Sequence, residues 1–322
     1  MIKFRHLLLL GSVALLTAGC KMDRMGVMDP KGLIAADERL LIFTSFALML
    51  LVVIPVILLT FYFAWKYRAS NTKAKYSPEF AHSTVLEVVW WTIPIIIIAI
   101  LGTITWITSH RYDPYRPLNV NTKPIVIQVV AMNWKWLFIY PDQNIASVNF
   151  VQFPVNVPVR FYITADAPMN SFQIPQLAGQ IYAMAGMRTE LNLMATHNGD
   201  YAGLSTNYSG IGFAGMMFTA RATSQADFDA WVKSVQQSKS NQRLSKEAYK
   251  QLEQPSENNP VATYSSVTND LFNNVIMSYM MPMPATPPIE TSATSTKRVP
   301  QSKELSQPLK TLAPSEPKKV NS

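Results

Sequence analysis

Few side chains in this sequence could do chemistry, and their types narrow what that chemistry is. Glu87 opens the run Glu87-Val88-Val89-Trp90-Trp91-Thr92-Ile93-Pro94, at the mouth of a long apolar stretch. An ionisable group at that depth is costly to keep, which makes it a functional candidate; the plain alternative is an interfacial acid that marks a helix end. Cys20 is the sole cysteine. One thiol excludes an internal disulfide framework and any cysteine-based metal cluster. His6, His82, His110 and His197 are too dispersed to read as a ligand set. Met184, Met187, Met216 and Met217 offer thioethers without thiolate or imidazole, and read as core filling.

The elements that must position these groups begin with two apolar runs, Leu40–Trp65 and Val88–Ile107. Each is long enough to cross ~30 Å of hydrocarbon. Pro55 and Pro94 interrupt them, as membrane helices tolerate. Trp65, Tyr67, Trp90, Trp91 and Trp106 sit near the ends, where amphipathic rings favour the interface. The charged fraction of 15% is low for a chain of 322 residues. The net charge of +8 is scattered or carried in the tail, without the basic stripe that would recognise nucleic acid.

Residues 1–20 carry Lys3 and Arg5, an apolar run from Leu7 to Ala18, and small residues before Cys20. That is the charge, length and cleavage chemistry of a secretory signal. It resembles a bacterial lipoprotein signal, which implies cleavage after residue 19 and acylation of Cys20, although Thr17 stands where leucine is usual. The alternative is an idle cysteine after an uncleaved anchor. Basic residues flank the first span equally on both sides, so the signal sets the orientation: Cys20 outside, residues 66–87 in the cytoplasm, and everything after about Ser109 exported.

From Lys123 the hydrophobic period changes to two. Ile125–Val129, Val159–Thr164, Glu190–Leu193 and Met217–Ala220 read as strands, with proline and glycine between them. Such short, regularly spaced strands predict an antiparallel β-sandwich. Ser224-Gln225-Ala226-Asp227 resembles a helix cap, ahead of Phe228, Trp231, Val232 and Val235 at helical spacing. Further short helices are expected from Ser245, burying Tyr249 and Leu252, and over Asn269–Met280. Residues 281–322, rich in proline, serine and lysine, lack the apolar density to fold.

Particular motifs then carry a family resemblance. They are Asp29-Pro30-Lys31-Gly32, Ala64-Trp65-Lys66-Tyr67-Arg68-Ala69-Ser70-Asn71, Ala74-Lys75-Tyr76-Ser77-Pro78 and Gln180-Ile181-Tyr182-Ala183-Met184-Ala185-Gly186-Met187. Together with the spans they resemble subunit II of the cytochrome bo-type ubiquinol oxidases, within the haem–copper oxidase superfamily, over about residues 10–280. Copper-bearing relatives use Cys, three residues, Cys, three residues, His, two residues, Met, and an upstream His before Ser-aromatic. Here those positions hold Ser205, Ser209, Phe213, Met216 and Asn170, with Asn207 between the serines. Thiolates and imidazoles are what a dinuclear copper centre requires, so these positions are expected not to bind metal.

The resemblance implies a membrane protein with two N-terminal transmembrane helices, an all-β cupredoxin-like Greek-key sandwich and a short helical C-terminal extension. The implied segments are a signal (1–19), an exported N-terminal stretch (20–39), a first span (40–65), a cytoplasmic loop (66–87), a second span (88–108), a sandwich without its copper site (109–223), a helical extension (224–280) and a disordered tail (281–322). It implies residence in the bacterial inner membrane, with a lipid-anchored N-terminus and an exported C-terminal domain. The partners implied are oxidase subunit I, further membrane subunits and the lipid bilayer, with ubiquinol as substrate of the complex. No cofactor is expected on this chain; haems and copper belong to subunit I. Glu87 matches a family glutamate at the cytoplasmic mouth of a proton-uptake path. Trp134 matches a family tryptophan that takes electrons from cytochrome c; with no copper behind it, packing is the expected role, beside the membrane or subunit I. Two rival readings are a copper-bearing cytochrome c oxidase subunit and a membrane-tethered lipoprotein acting as a binding module.

Overall fold

A computed structural model of the protein describes residues 26–75, 77, 79–238 and 242–280. Cys20, the expected signal and the expected tail lie outside the described residues. Two long helices come first, α1 (Leu33–Lys66) and α2 (Thr84–Arg111). Both run past the apolar stretches that predicted them. At 1.5 Å per residue, the 34 residues of α1 reach ~51 Å, well over the ~30 Å of a hydrocarbon core. About half of the surplus is the polar first turns with Asp37, Glu38 and Arg39, which rest on the exported domain through Ala35 N, a donor to Leu177 O at 3.3 Å. Ala35 is the one buried side chain on either helix.

The exported domain is a two-sheet sandwich. Its strands are β1 (Ile125–Met132), β2 (Lys135–Tyr140), β3 (Ile145–Val148), β4 (Phe150–Pro154), β5 (Val159–Ala165), β6 (Asn170–Gln173), β7 (Ile181–Ala183), β8 (Thr189–Leu193), β9 (Gly199–Ser205) and β10 (Met217–Thr223). A C-terminal extension follows: α3 (Gln225–Gln237), β11 (Arg243–Leu244), α4 (Lys246–Glu253), β12 (Ala262–Tyr264), β13 (Ser266–Val267) and α5 (Leu271–Met280). One sheet has the order β12-β3-β2-β1-β5-β8 and the other β4-β10-β9-β6-β7.

Two features differ from the expected antiparallel sandwich with an all-helical extension. β1 pairs with β5, and β4 with β10, in parallel. The extension also supplies a strand, since β12 pairs antiparallel with β3 and completes that sheet's edge. Register between distant strands is a tertiary choice, and a three-residue strand is too short to show a period of two.

Packing explains why these strands are so apolar. Between the sheets, the Phe172 ring meets Trp136 at 5.3 Å, Phe161 at 5.3 Å and Phe218 at 5.1 Å. On the outer face of the larger sheet, Val130, Leu137, Ile139 and Val148 pack against Leu244, Tyr249, Leu271, Phe272 and Val275 of the extension. β2 is therefore covered on both faces, and all six of its residues are buried. α3 and α4 start at serine caps: Ser224 Oγ accepts from Asp227 N at 3.1 Å, and Ser245 Oγ from Ala248 N at 3.2 Å.

The helices and the sandwich are joined by backbone hydrogen bonds. Lys31 N and Gly32 N donate to Gln176 O at 2.7 and 3.1 Å. Thr196 N and Oγ1 both donate to Lys31 O at 2.8 Å. Gly32 lies so close to Leu177 that a Cβ would stand 2.5 Å from its carbonyl oxygen. Only glycine fits there.

Candidate functional site

The segment from Ser205 to Met216 closes one end of the sandwich, and hydrogen bonds to residues 168–170 hold its first turn. Ser205 Oγ donates to Asn170 Oδ1 at 3.1 Å, and Asn170 Nδ2 donates to Pro168 O at 2.7 Å. Asn207 Nδ2 donates to Met169 O at 2.9 Å. Phe213 begins a single 3-10 turn and packs edge-on against Tyr208 at 5.6 Å. Met216 is buried, whereas Met217, one position on in β10, faces outward. Met187 and Met217 are more than half exposed, so the core filling expected of the four methionines does not hold for these two. Ser209 Oγ is buried without a hydrogen-bond partner among the described residues.

A dinuclear copper centre is built on bridging thiolates with imidazoles. Here the matching positions offer hydroxyls, a carboxamide already engaged by a hydroxyl, a phenyl ring and a core thioether. That donor set does not fit the metal, and the hydrogen bonds give the loop its shape instead.

Trp134 holds the loop from outside. Its Nε1 donates to Ser209 O at 3.1 Å, and a Cβ on Gly212 would collide with its ring. Its backbone sits in the left-handed region, φ 63°. Packing was the expected role, and within this chain the surface it packs on is the loop of Ser209 to Gly212.

Glu87 lies in the first turn of α2, its side chain 43% exposed and 3.7 Å from His82 Nδ1. Around it stretch the unpartnered apolar faces of the two helices, including Trp90, Trp91, Ile95 and Ile98. Glu87 and the loop of Ser205 belong to different elements, and no hydrogen bond or ion pair among the described residues links them.

Two polar anchors escaped the sequence reading. Asp166, 9% exposed at the end of β5, accepts a hydrogen bond from Tyr249 Oη and another from Tyr279 Oη at 2.8 Å. Burial, then the bond to Asp166, pushes both phenols above the usual tyrosine range. Lys135, 2% exposed, donates its Nζ to Gln254 O at 2.7 Å and to Ser256 Oγ at 2.6 Å. Burial pulls its ammonium below the usual lysine range. Both anchors tie the extension to the sandwich. Their partners lie so far along the chain that no local pattern marks them.

Two apolar helices carrying a cupredoxin-like sandwich define a class by their architecture: subunit II of a membrane-bound respiratory oxidase. Sequence comparison agrees. The model described as COX Aromatic Rich Motif matches residues 239–283. Cytochrome bo(3) ubiquinol oxidase subunit 2 of Pseudomonas putida is 54% identical over 265 residues, 82% of this chain and 83% of that one. Ubiquinol oxidase subunit 2 of Acetobacter aceti is 50% identical over 270 residues, covering 83% and 86%. Quinol oxidase subunit 2 of Bacillus cereus is 36% identical over 249 residues, covering 77% and 84%. The chain belongs to the family of ubiquinol oxidase subunit 2. It is a subunit of an oxidoreductase complex, with two membrane helices and a periplasmic domain.

Proposed function

We propose that this chain is the non-redox subunit II of a proton-pumping oxidase that couples ubiquinol oxidation to oxygen reduction. It scaffolds subunit I through the open apolar faces of α1 and α2, and offers Glu87 at the mouth of a proton-uptake path. Haems and copper are assigned to subunit I. Cys20, outside the described residues, is assigned the lipid anchor.

One observation supports this reading above the others. Glu87 is a half-exposed carboxylate in the first turn of an apolar helix whose side chains are mostly exposed among the described residues. A carboxylate there has water on one side and membrane protein on the other, which suits a proton donor at a channel mouth. The test is Glu87→Ala in the complex purified through a tag on this chain. Quinol-dependent oxygen uptake should fall several-fold while the haem spectrum is unchanged. Full turnover in the assembled variant would remove Glu87 from the proton path.

A further inference from the structure

The turn that leaves α1 folds back on the helix end. Arg68 Nη1 donates to Trp65 O at 3.0 Å, and Asn71 Nδ2 donates to Lys66 O at 2.6 Å. Two side chains thus take up carbonyls that a last helical turn leaves free. Asn71 N adds a bond to Arg68 O at 2.9 Å. The chain that follows meets the helix end again, and a pocket of about 640 Å³ opens between Lys66, Tyr67, Ala74, Lys75, Ser77 and Phe80. The periplasmic domain follows α2, so this turn lies at the opposite face of the membrane.

The charge lining this pocket has one sign. Lys66 and Lys75 supply it, and no acid is among the lining residues. Neither lysine forms an ion pair among the described residues. Lys66 Nζ stands instead over the rings of Tyr62 and Tyr67, at 5.2 and 5.5 Å. Two further cations, Arg68 and Lys73, are exposed on the same turn. The acids of residues 66–87 are Glu79 and Glu87, against four lysines and arginines. Glu87 faces His82 at 3.7 Å, and Glu79 forms no ion pair among the described residues. On the last turns of α1, Phe61, Tyr62, Phe63 and Trp65 are all exposed. Aromatic rings so placed mark the headgroup level of a bilayer.

We propose that this pocket binds the headgroup of an anionic glycerophospholipid, its phosphate between Lys66 and Lys75 and its acyl chains beside Phe61 and Trp65. Three features favour that occupant. The lining carries positive charge that no carboxylate of this chain offsets. It sits immediately past an apolar span, where clustered lysines and arginines meet anionic headgroups. Tyr67 and Ser77 add hydroxyls to the lining, which can donate to phosphate or glycerol oxygens.

The test uses the whole complex, purified through a tag on this chain and equilibrated in mild detergent with equal phosphatidylglycerol and phosphatidylcholine. Native mass spectrometry should find one phosphatidylglycerol fewer per complex in Lys66→Gln/Lys75→Gln than in the parent. Lys66→Arg/Lys75→Arg should keep that lipid. A photoactivatable phosphatidylglycerol, which needs no variant, should cross-link the parent within residues 61–80. A photoactivatable phosphatidylcholine should not, and excess inorganic phosphate should not compete. An unchanged phosphatidylglycerol count in the assembled Gln variant would overturn the proposal. So would equal capture of the two lipids, or cross-links confined to other segments, as when a partner subunit fills the pocket. Competition by inorganic phosphate would mean a free-anion site and would overturn the lipid assignment.

Discussion

The helix hairpin and the sandwich use apolar residues in opposite ways. In the sandwich, Trp136, Phe138, Phe161 and Phe172 are wholly buried by the chain's own strands. In the hairpin, Ile95, Ile98, Trp91 and Trp106 are mostly exposed, and Ala35 alone is buried. One region carries its partners in its own sequence; the other leaves its apolar faces exposed. Stability and assembly are therefore properties of different residues, and substitutions can separate them.

The largest effect should come from the sandwich core. Phe172→Ala removes a ring in contact with Trp136, Phe161 and Phe218, and should cost about 3–5 kcal/mol. Thermal unfolding followed by near-ultraviolet circular dichroism of the full chain measures it. Ile98→Ala, on an exposed face of α2, should change that transition by less than ~0.5 kcal/mol and instead lower co-purification with the haem-bearing subunit. Equal unfolding penalties for the two variants would break the contrast.

Next comes the joint between the two regions. Gly32→Val places a side chain against the Leu177 backbone, which cannot give way cheaply, and should cost about 1–3 kcal/mol. Faster protease cleavage near Lys31, with the sandwich still folded, is the expected readout.

The Asp166 anchor should matter about as much. Asp166→Asn weakens two phenol bonds to a charged acceptor, at about 1.5–3 kcal/mol, and should speed hydrogen exchange across α4 and α5. Titration gives an independent check. Tyr140, Tyr249 and Tyr279 are all held above the usual value, chiefly by burial. The stability they confer is fully present below about pH 10 and is lost as pH rises from there toward their folded values. Lys135 has the opposite sign, because its lowered value favours the fold as pH climbs. One lysine does not offset three tyrosines, so the protein should lose stability above about pH 10, and Tyr249→Phe should blunt that loss.

The smallest effect is expected at Ser209. Its buried hydroxyl has no partner among the described residues, so Ser209→Ala should be neutral or stabilising by up to about 1 kcal/mol. A clear loss of stability would show that the hydroxyl is satisfied by something bound there.

Much of this was legible from residue order. Membrane helices declare themselves through apolar length, and Ser224 and Ser245 mark helix starts because a hydroxyl must satisfy free backbone donors. The replaced ligands at Asn170, Ser205, Ser209 and Phe213 were visible once the spacing was matched. The parallel pairs and β12 were not, since strand order is decided between segments far apart in sequence. Lys135 reads as a surface residue until residues 254–256 are seen to cover it. The first turns of α1 fall in the exported stretch ahead of the apolar run, and nothing in Asp37 or Glu38 announces a sandwich beneath them.

The position of β12 bears on how the domain matures. The larger sheet is finished at one side by Ala262–Tyr264, which arrive late in the exported chain. Until synthesis and translocation have delivered Tyr264, β3 presents an unpaired edge to the periplasm, open to any other extended chain that passes. A truncation between the end of β3 and Ala262 leaves that edge bare and should favour aggregation over a merely shortened subunit.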